Sequence, residues 1–286
     1  MARGERGTQI ILGALNIVAS PHPEGIYLRL LESSADIEIE LYGNDWAKIT
    51  KPLARAGHPD HFLGQILVWT HVDKSGRWIH KNKNKEATDE DKAGITIPDP
   101  LQPNFRPFSY GFILSKHRLV VEYKNEFGDR FGAKRAERFF ARLFSKETLG
   151  HEFPEVSVTA IPEDDTIQKI LSIPRLRRLE IHLRRPNPDD LSDDVARILA
   201  ELEEQGAKSQ DIILTKAPKI DSLTPNEETV KLAKVAAENG YVRGRGASND
   251  GTVLDESTKE HPKSLVVSVS ADQSANVRFR NAMERF

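Results

Sequence analysis

Lys134, Arg138, Arg142 and Lys146 recur every fourth residue, the spacing that aligns side chains along one face of an α-helix. Like charges at this spacing disfavour an isolated helix by about 0.2–0.5 kcal/mol per pair, so the stripe gains when an anion lies against it. A second basic segment, PRLRRLEIHLRRP, carries Arg175, Arg177, Arg178, Arg184 and Arg185 against Glu180 alone. Both segments offer recognition of phosphate oxygens, which positions a nucleic-acid backbone without reading its bases. Two plainer roles compete with this one. The charges pair with the acidic segment 189–205, or they face water as most surface charges do.

A different chemistry is suggested by Asp99, Glu122 and Lys124. Pro98-Asp99 and Glu122-Tyr123-Lys124 match the loose PD…ExK pattern, in which two carboxylates hold a divalent metal and a lysine stabilises developing charge. Asp99, however, lies between two prolines in a polar stretch. Glu122 and Lys124 fit equally well on the polar side of an alternating strand. His58-Pro59-Asp60-His61 reads as a solvated turn and not as a metal cluster, which needs three or four convergent ligands. Gly244-Arg245-Gly246 reads as part of a loop and lacks the lysine and the strand-to-helix context of a phosphate loop. No metal or other cofactor is expected.

Composition narrows the classes further. The 286 residues hold 41 Lys and Arg against 43 Asp and Glu, a formal net charge of −2. Any affinity for nucleic acid must therefore come from a local patch. There are no cysteines, which excludes disulfides, thiolate zinc sites, iron–sulfur clusters and cysteine nucleophiles, and fits a reducing compartment. The apolar run from Ile10 to Ala19 is short, broken by Gly13 and Asn16, and reads as a strand instead of a secretory or membrane segment. A cytoplasmic protein without membrane contact is expected.

The elements that would position these residues mix strands and helices throughout, without βαβ repetition. An α+β fold is expected, with mixed or antiparallel sheets and packed amphipathic helices. FSYGFILSKHRLVVEYKN predicts a hairpin. A helix over 133–147 follows, burying Ala136, Phe139, Phe140, Leu143 and Phe144. Strand alternation covers Leu179, Ile181 and Leu183. A helix over 189–205 buries Leu191, Val195, Ile198 and Leu202, and its first turn holds Asp189, Asp190, Asp193 and Asp194, where the dipole favours acid. The C-terminus reads as a loop at GRGASNDG, a short strand, the strand SLVVSVS and a charged tail. A boundary near Pro174 divides the chain into an N-terminal α+β domain, 1–173, and a C-terminal one, 174–286.

Four stretches together resemble an uncharacterised bacterial family of unknown function, over nearly the whole chain. They are LGALNIVASPHP, FILSKHRLVVEYKN with the AERFFARLF helix, ILSIPRLRRLEIHLRRPNPDDL and VAAENGYVRGRG. That family carries no established catalytic residues, so the resemblance implies membership without a mechanism. The order of hairpin, amphipathic helix, strand, short helix and strand is also similar in layout to the phage exclusion protein RexA and related anti-phage defence proteins. This implies DNA binding and oligomer formation, as a sensor or component of anti-phage defence. The expectation is thus a sequence-indifferent DNA-binding protein more than an enzyme. Its candidate partners are DNA, a second copy of the chain and a protein encoded in the same operon. The alternatives are a metal-dependent nuclease and a protein–protein adaptor.

Overall fold

The computed structural model describes residues 8–73, 75–98, 100–188, 192–269 and 274–286; Asp99, Asp189, Asp190 and Leu191 lie outside them. The chain opens with β1 (Thr8–Ser20), α1 (Ile26–Ser34), β2 (Ile39–Glu40), β3 (Asp45–Ile49), β4 (Leu53–Arg55) and β5 (His58–Thr70). A polar excursion carries β6 (Ile79–His80), β7 (Lys85–Glu86) and α2 (Asp89–Ala93). The central hairpin is β8 (Arg106–Ile113) and β9 (Arg118–Lys124), followed by α3 (Ala133–Leu143), α4 (Lys146–Leu149), β10 (Glu155–Ala160) and α5 (Thr166–Leu171). Then come β11 (Arg175–Arg184), α6 (Asp193–Glu204), β12 (Ser209–Thr215), α7 (Glu227–Glu238), β13 (Gly240–Ala247) and β14 (Val253–Ser257). The chain closes with β15 (Ser264–Val269) and α8 (Ala275–Ala282). No helix among the described residues is long and apolar enough to cross a membrane.

The fold is α+β, with antiparallel sheets and helices on their faces. The large sheet runs β10-β1-β9-β8-β5-β3-β2, with β4 on β5 and β15 on β1. β15 pairs residues 8–13 of β1 and β10 pairs residues 15–20 along the same edge. β1 is almost continuously apolar because both of its faces are covered, where a strand with one wet face would alternate. Leu15, Ile17 and Ala19 face a core shared with α1 and α3, while Ile10, Leu12 and Ala14 face a second core under α8. The smaller sheet, β12-β11-β13-β14, buries Leu179, Ile181 and Leu183 against α5, α6 and α7.

Sheet membership does not follow a division at 173/174. The C-terminal β15 and α8 return to the first sheet, where Leu265, Val267, Phe279 and Met283 complete its second core. Ile170 of α5, ahead of that division, packs into the core of the second sheet. Polar side chains tie the two bodies together. Asn16 donates to the carbonyl of Glu238 at 3.1 Å and to Asn239 at 3.0 Å, and Tyr27 donates to Asn187 at 2.5 Å.

Three local readings are corrected. The helix expected to run to 147 stops at Leu143, because the Thr148 hydroxyl takes the Arg142 carbonyl at 2.7 Å, which the next turn would otherwise use. The segment expected as a charged tail forms helix α8, which buries Ala275, Phe279 and Ala282 against the first sheet and leaves its other side exposed. Gly244, Arg245 and Gly246, expected in a loop, belong to strand β13. A Cβ at Gly246 would sit 2.2 Å from the carbonyl oxygen of Arg175, so only glycine lets β13 pass this close to β11. Gly246→Ala is expected to destabilise the protein by about 1–3 kcal/mol, the usual cost of overpacking against groups that cannot move. Urea unfolding measures this directly, and an unchanged midpoint would refute the close approach.

Candidate nucleic-acid interface

The side of α3 away from the core carries Lys134, Arg138 and Arg142, all exposed. Ala136, Phe139, Phe140 and Leu143 hold the opposite side in the core. Lys146, also exposed, lies beyond the helix break on α4, so the predicted four-residue stripe is three residues of one helix and one of the next. Lys134 and Arg135 occupy the first turn, which contains no acid, the reverse of what the helix dipole favours. Helix stability therefore does not account for these residue types.

Opposite this ridge stands the turn between β2 and β3. Leu41 N–H donates to the Asp45 carbonyl at 2.7 Å, and Gly43 takes the positive φ of 63° that closes the turn. Two arginines of α3 pin it. Arg135 donates to the Asp45 carboxylate at 3.1 Å, and Arg142 donates to the Glu40 carbonyl. Arg106 and Thr70 also hold Asp45, at 2.6 and 3.1 Å. Burial opposes the Asp45 charge, but the Arg106 and Thr70 hydrogen bonds and the Arg135 charge bring its pKa below the usual carboxylate value.

Between helix and turn lies a groove of about 530 Å³ with Lys134, Arg135, Arg138 and Arg142 on one wall and Glu40, Leu41 and Tyr42 on the other. Phe139 and Ala141 also line it. Arg135 and Arg142 are spent on the turn, whereas Lys134 and Arg138 make no ion pair or hydrogen bond among the described residues. The acidic helix α6 does not neutralise them. Arg197 takes Glu201 at 3.2 Å and Glu228 at 2.8 Å, and Lys231 lies 4.0 Å from Asp194.

The arginine-rich strand is placed differently. Arg178 donates to Glu180 at 2.6 Å, and Arg185 donates to the Ala207 carbonyl at 2.7 Å and to that of Leu202, closing the end of α6. Arg175 is exposed at the start of β11. Arg184 lies near Glu137 of α3. Burial raises the Glu137 pKa, opposed by Lys259, the Ala160 N–H, Arg184 and Arg138. Arg184 and Arg138 thus both lie within electrostatic reach of Glu137, whereas Arg178 and Arg185 are engaged within the fold. Arg184 and Arg185 line a smaller cleft of about 260 Å³ with Lys208, which is paired with Glu155.

Glu122 and Lys124 share a face of β9, with Asp99 outside the described residues. Glu122 is only 4% exposed and accepts the Ser109 N–H at 2.8 Å, where the β8–β9 ladder opens. Asn125 bridges the same gap by donating to the Pro107 carbonyl at 3.0 Å. Burial pushes the Glu122 pKa up to about 7, against the Ser109 hydrogen bond and helped by the nearby Glu126 charge. Its carboxyl is thus committed to joining two strands.

The segment 58–61, expected as a solvated turn, begins strand β5, with His61 buried. His58, His61 and Glu284 bring ligand-type atoms within 4.8 Å of one another. The Arg55 guanidinium already lies among them, donating to Glu284 at 2.8 Å, to the Arg280 carbonyl at 2.9 Å and to His61 at 3.3 Å. Burial lowers the His61 pKa, with Asp60 opposing and Arg55 assisting. The cluster reads as a guanidinium-centred anchor for the C-terminal turn.

Sequence spacing found the α3 ridge. It did not find the facing wall, because Asp45 and Arg135 are 90 residues apart in the chain. No curated protein matches the chain. The family model described as Domain of unknown function (DUF4747) matches residues 8–284, and the chain belongs to that family.

Proposed function

We propose that this protein binds DNA through its phosphates, largely without reading sequence. The observation that carries the reading is the pair Lys134 and Arg138, exposed beside a groove and without an ion-pair partner among the described residues, in a chain where acids outnumber bases. Arg142 adds charge to the same wall while holding the turn. Arg178 and Arg185 are engaged within the fold, so the contact centres on α3, with Arg175, Arg184 and Lys146 outside the groove lining. Contacts of this type position a backbone and weaken steeply as salt rises. The part in anti-phage defence rests on the resemblance in element order, and within it this contact is the sensing step.

A gel-shift series tests the reading, with duplex and single-stranded DNA, increasing salt, and magnesium present or absent. Retention that fades with salt and leaves the DNA uncut is expected. No shift at low salt would contradict the reading, and magnesium-dependent cleavage would replace it with a nuclease.

A further inference from the structure

We infer that the groove takes single-stranded DNA, with a base stacked on Tyr42 and the flanking phosphates on Lys134 and Arg138. The inference rests on the DNA-binding reading above and adds the form of DNA that the site takes. Tyr42 is 86% exposed, and an isolated exposed aromatic residue would need no explanation. This one stands at the rim of a groove whose other wall is cationic. Its turn is fastened at both ends, through the Arg142 contact to the Glu40 carbonyl and the Arg135 contact to Asp45. The ring is therefore presented from a fixed backbone, so little ordering of the main chain is required on binding.

The chemistry of the lining selects the occupant. Leu41 and Ala141, backed by the buried Phe139, supply apolar surface suited to a base, and Lys134 and Arg138 supply charge suited to a phosphate. Glu40 is the one acidic residue among the lining residues, against the two cations Lys134 and Arg138 that are not engaged with the turn. An acidic protein segment would satisfy the cations but not the ring. A duplex would offer phosphates but keep its base faces stacked inside. A single strand offers both, and stacking on an aromatic side chain tolerates any sequence because every base has a π-face.

The test uses the full chain and fluorescence anisotropy with three labelled DNAs of equal length: a mixed-sequence single strand, an abasic strand with the same phosphates, and a duplex. Wild type is expected to bind the mixed-sequence strand more tightly than either of the others. Tyr42→Ala is expected to weaken that strand about tenfold and to leave the abasic strand unchanged. Tyr42→Phe, which keeps the ring, is expected to retain binding. Equal affinity of wild type for all three DNAs, with no effect of Tyr42→Ala, overturns this inference and leaves the phosphate-binding reading standing. An equal loss on the abasic strand also overturns it, because the residue would then act through the turn. No binding of any DNA overturns both.

Discussion

Phe140→Ala is expected to destabilise the protein by about 3–5 kcal/mol, lowering the thermal midpoint by on the order of 10 °C for a chain of this size. Phe140 is completely buried. Its ring meets Phe139 at a centroid distance of 4.9 Å, Phe144 at 5.6 Å and Tyr110 at 6.4 Å, so truncation leaves a cavity that neighbours on both helix and sheet must line. Lys134→Gln and Arg138→Gln, on the other side of the same helix, should change stability by no more than about 0.5 kcal/mol each. Urea unfolding of the three variants separates what holds α3 in place from what α3 presents. A small loss for Phe140→Ala would show that this core is not packed as described.

The second large effect concerns Glu122 and pH. Its folded pKa of about 7 lies above the ordinary 4.5. Between those values the folded protein holds a proton that the unfolded chain has released, so stability falls as pH rises through the window. The penalty is complete above pH 7 and amounts to about 3 kcal/mol. Glutamine cannot ionise, yet its carbonyl oxygen can still accept the Ser109 N–H. Glu122→Gln should therefore match wild type at pH 4.5 and exceed it at pH 8 by up to about 3 kcal/mol. Parallel profiles for the two proteins would mean that Glu122 ionises freely, as a metal ligand would.

These two residues also show what was legible in the sequence. Phe140 belongs to an apolar series at helical spacing, and that periodicity reflects the local geometry of one element. Glu122 follows an equally clear alternation, which places it on the polar side of its strand without showing that this side is buried. That side of the sheet carries Val120, in the core completed by Ala275, Phe279 and Ala282 of α8 and by Met283 after it, which are spaced for burial but interleaved with arginine and asparagine. The consequence for Glu122 depends on a contact between segments far apart in the chain. The same reason hides the groove. The ridge of α3 follows from spacing, whereas Tyr42 gains its place only when Asp45 closes onto Arg135. Gly246 carries the glycine signal of a turn, while here it permits two paired strands to lie unusually close.

The most direct test of phosphate recognition by the α3 ridge is the salt dependence of DNA binding for wild type and for the Lys134→Gln, Arg138→Gln double variant. Anisotropy titrations from low to physiological salt give the slope of log affinity against log salt. The ridge predicts a slope shallower by about two in the double variant, with similar losses on unrelated DNA sequences. An unchanged slope with unchanged affinity would contradict it.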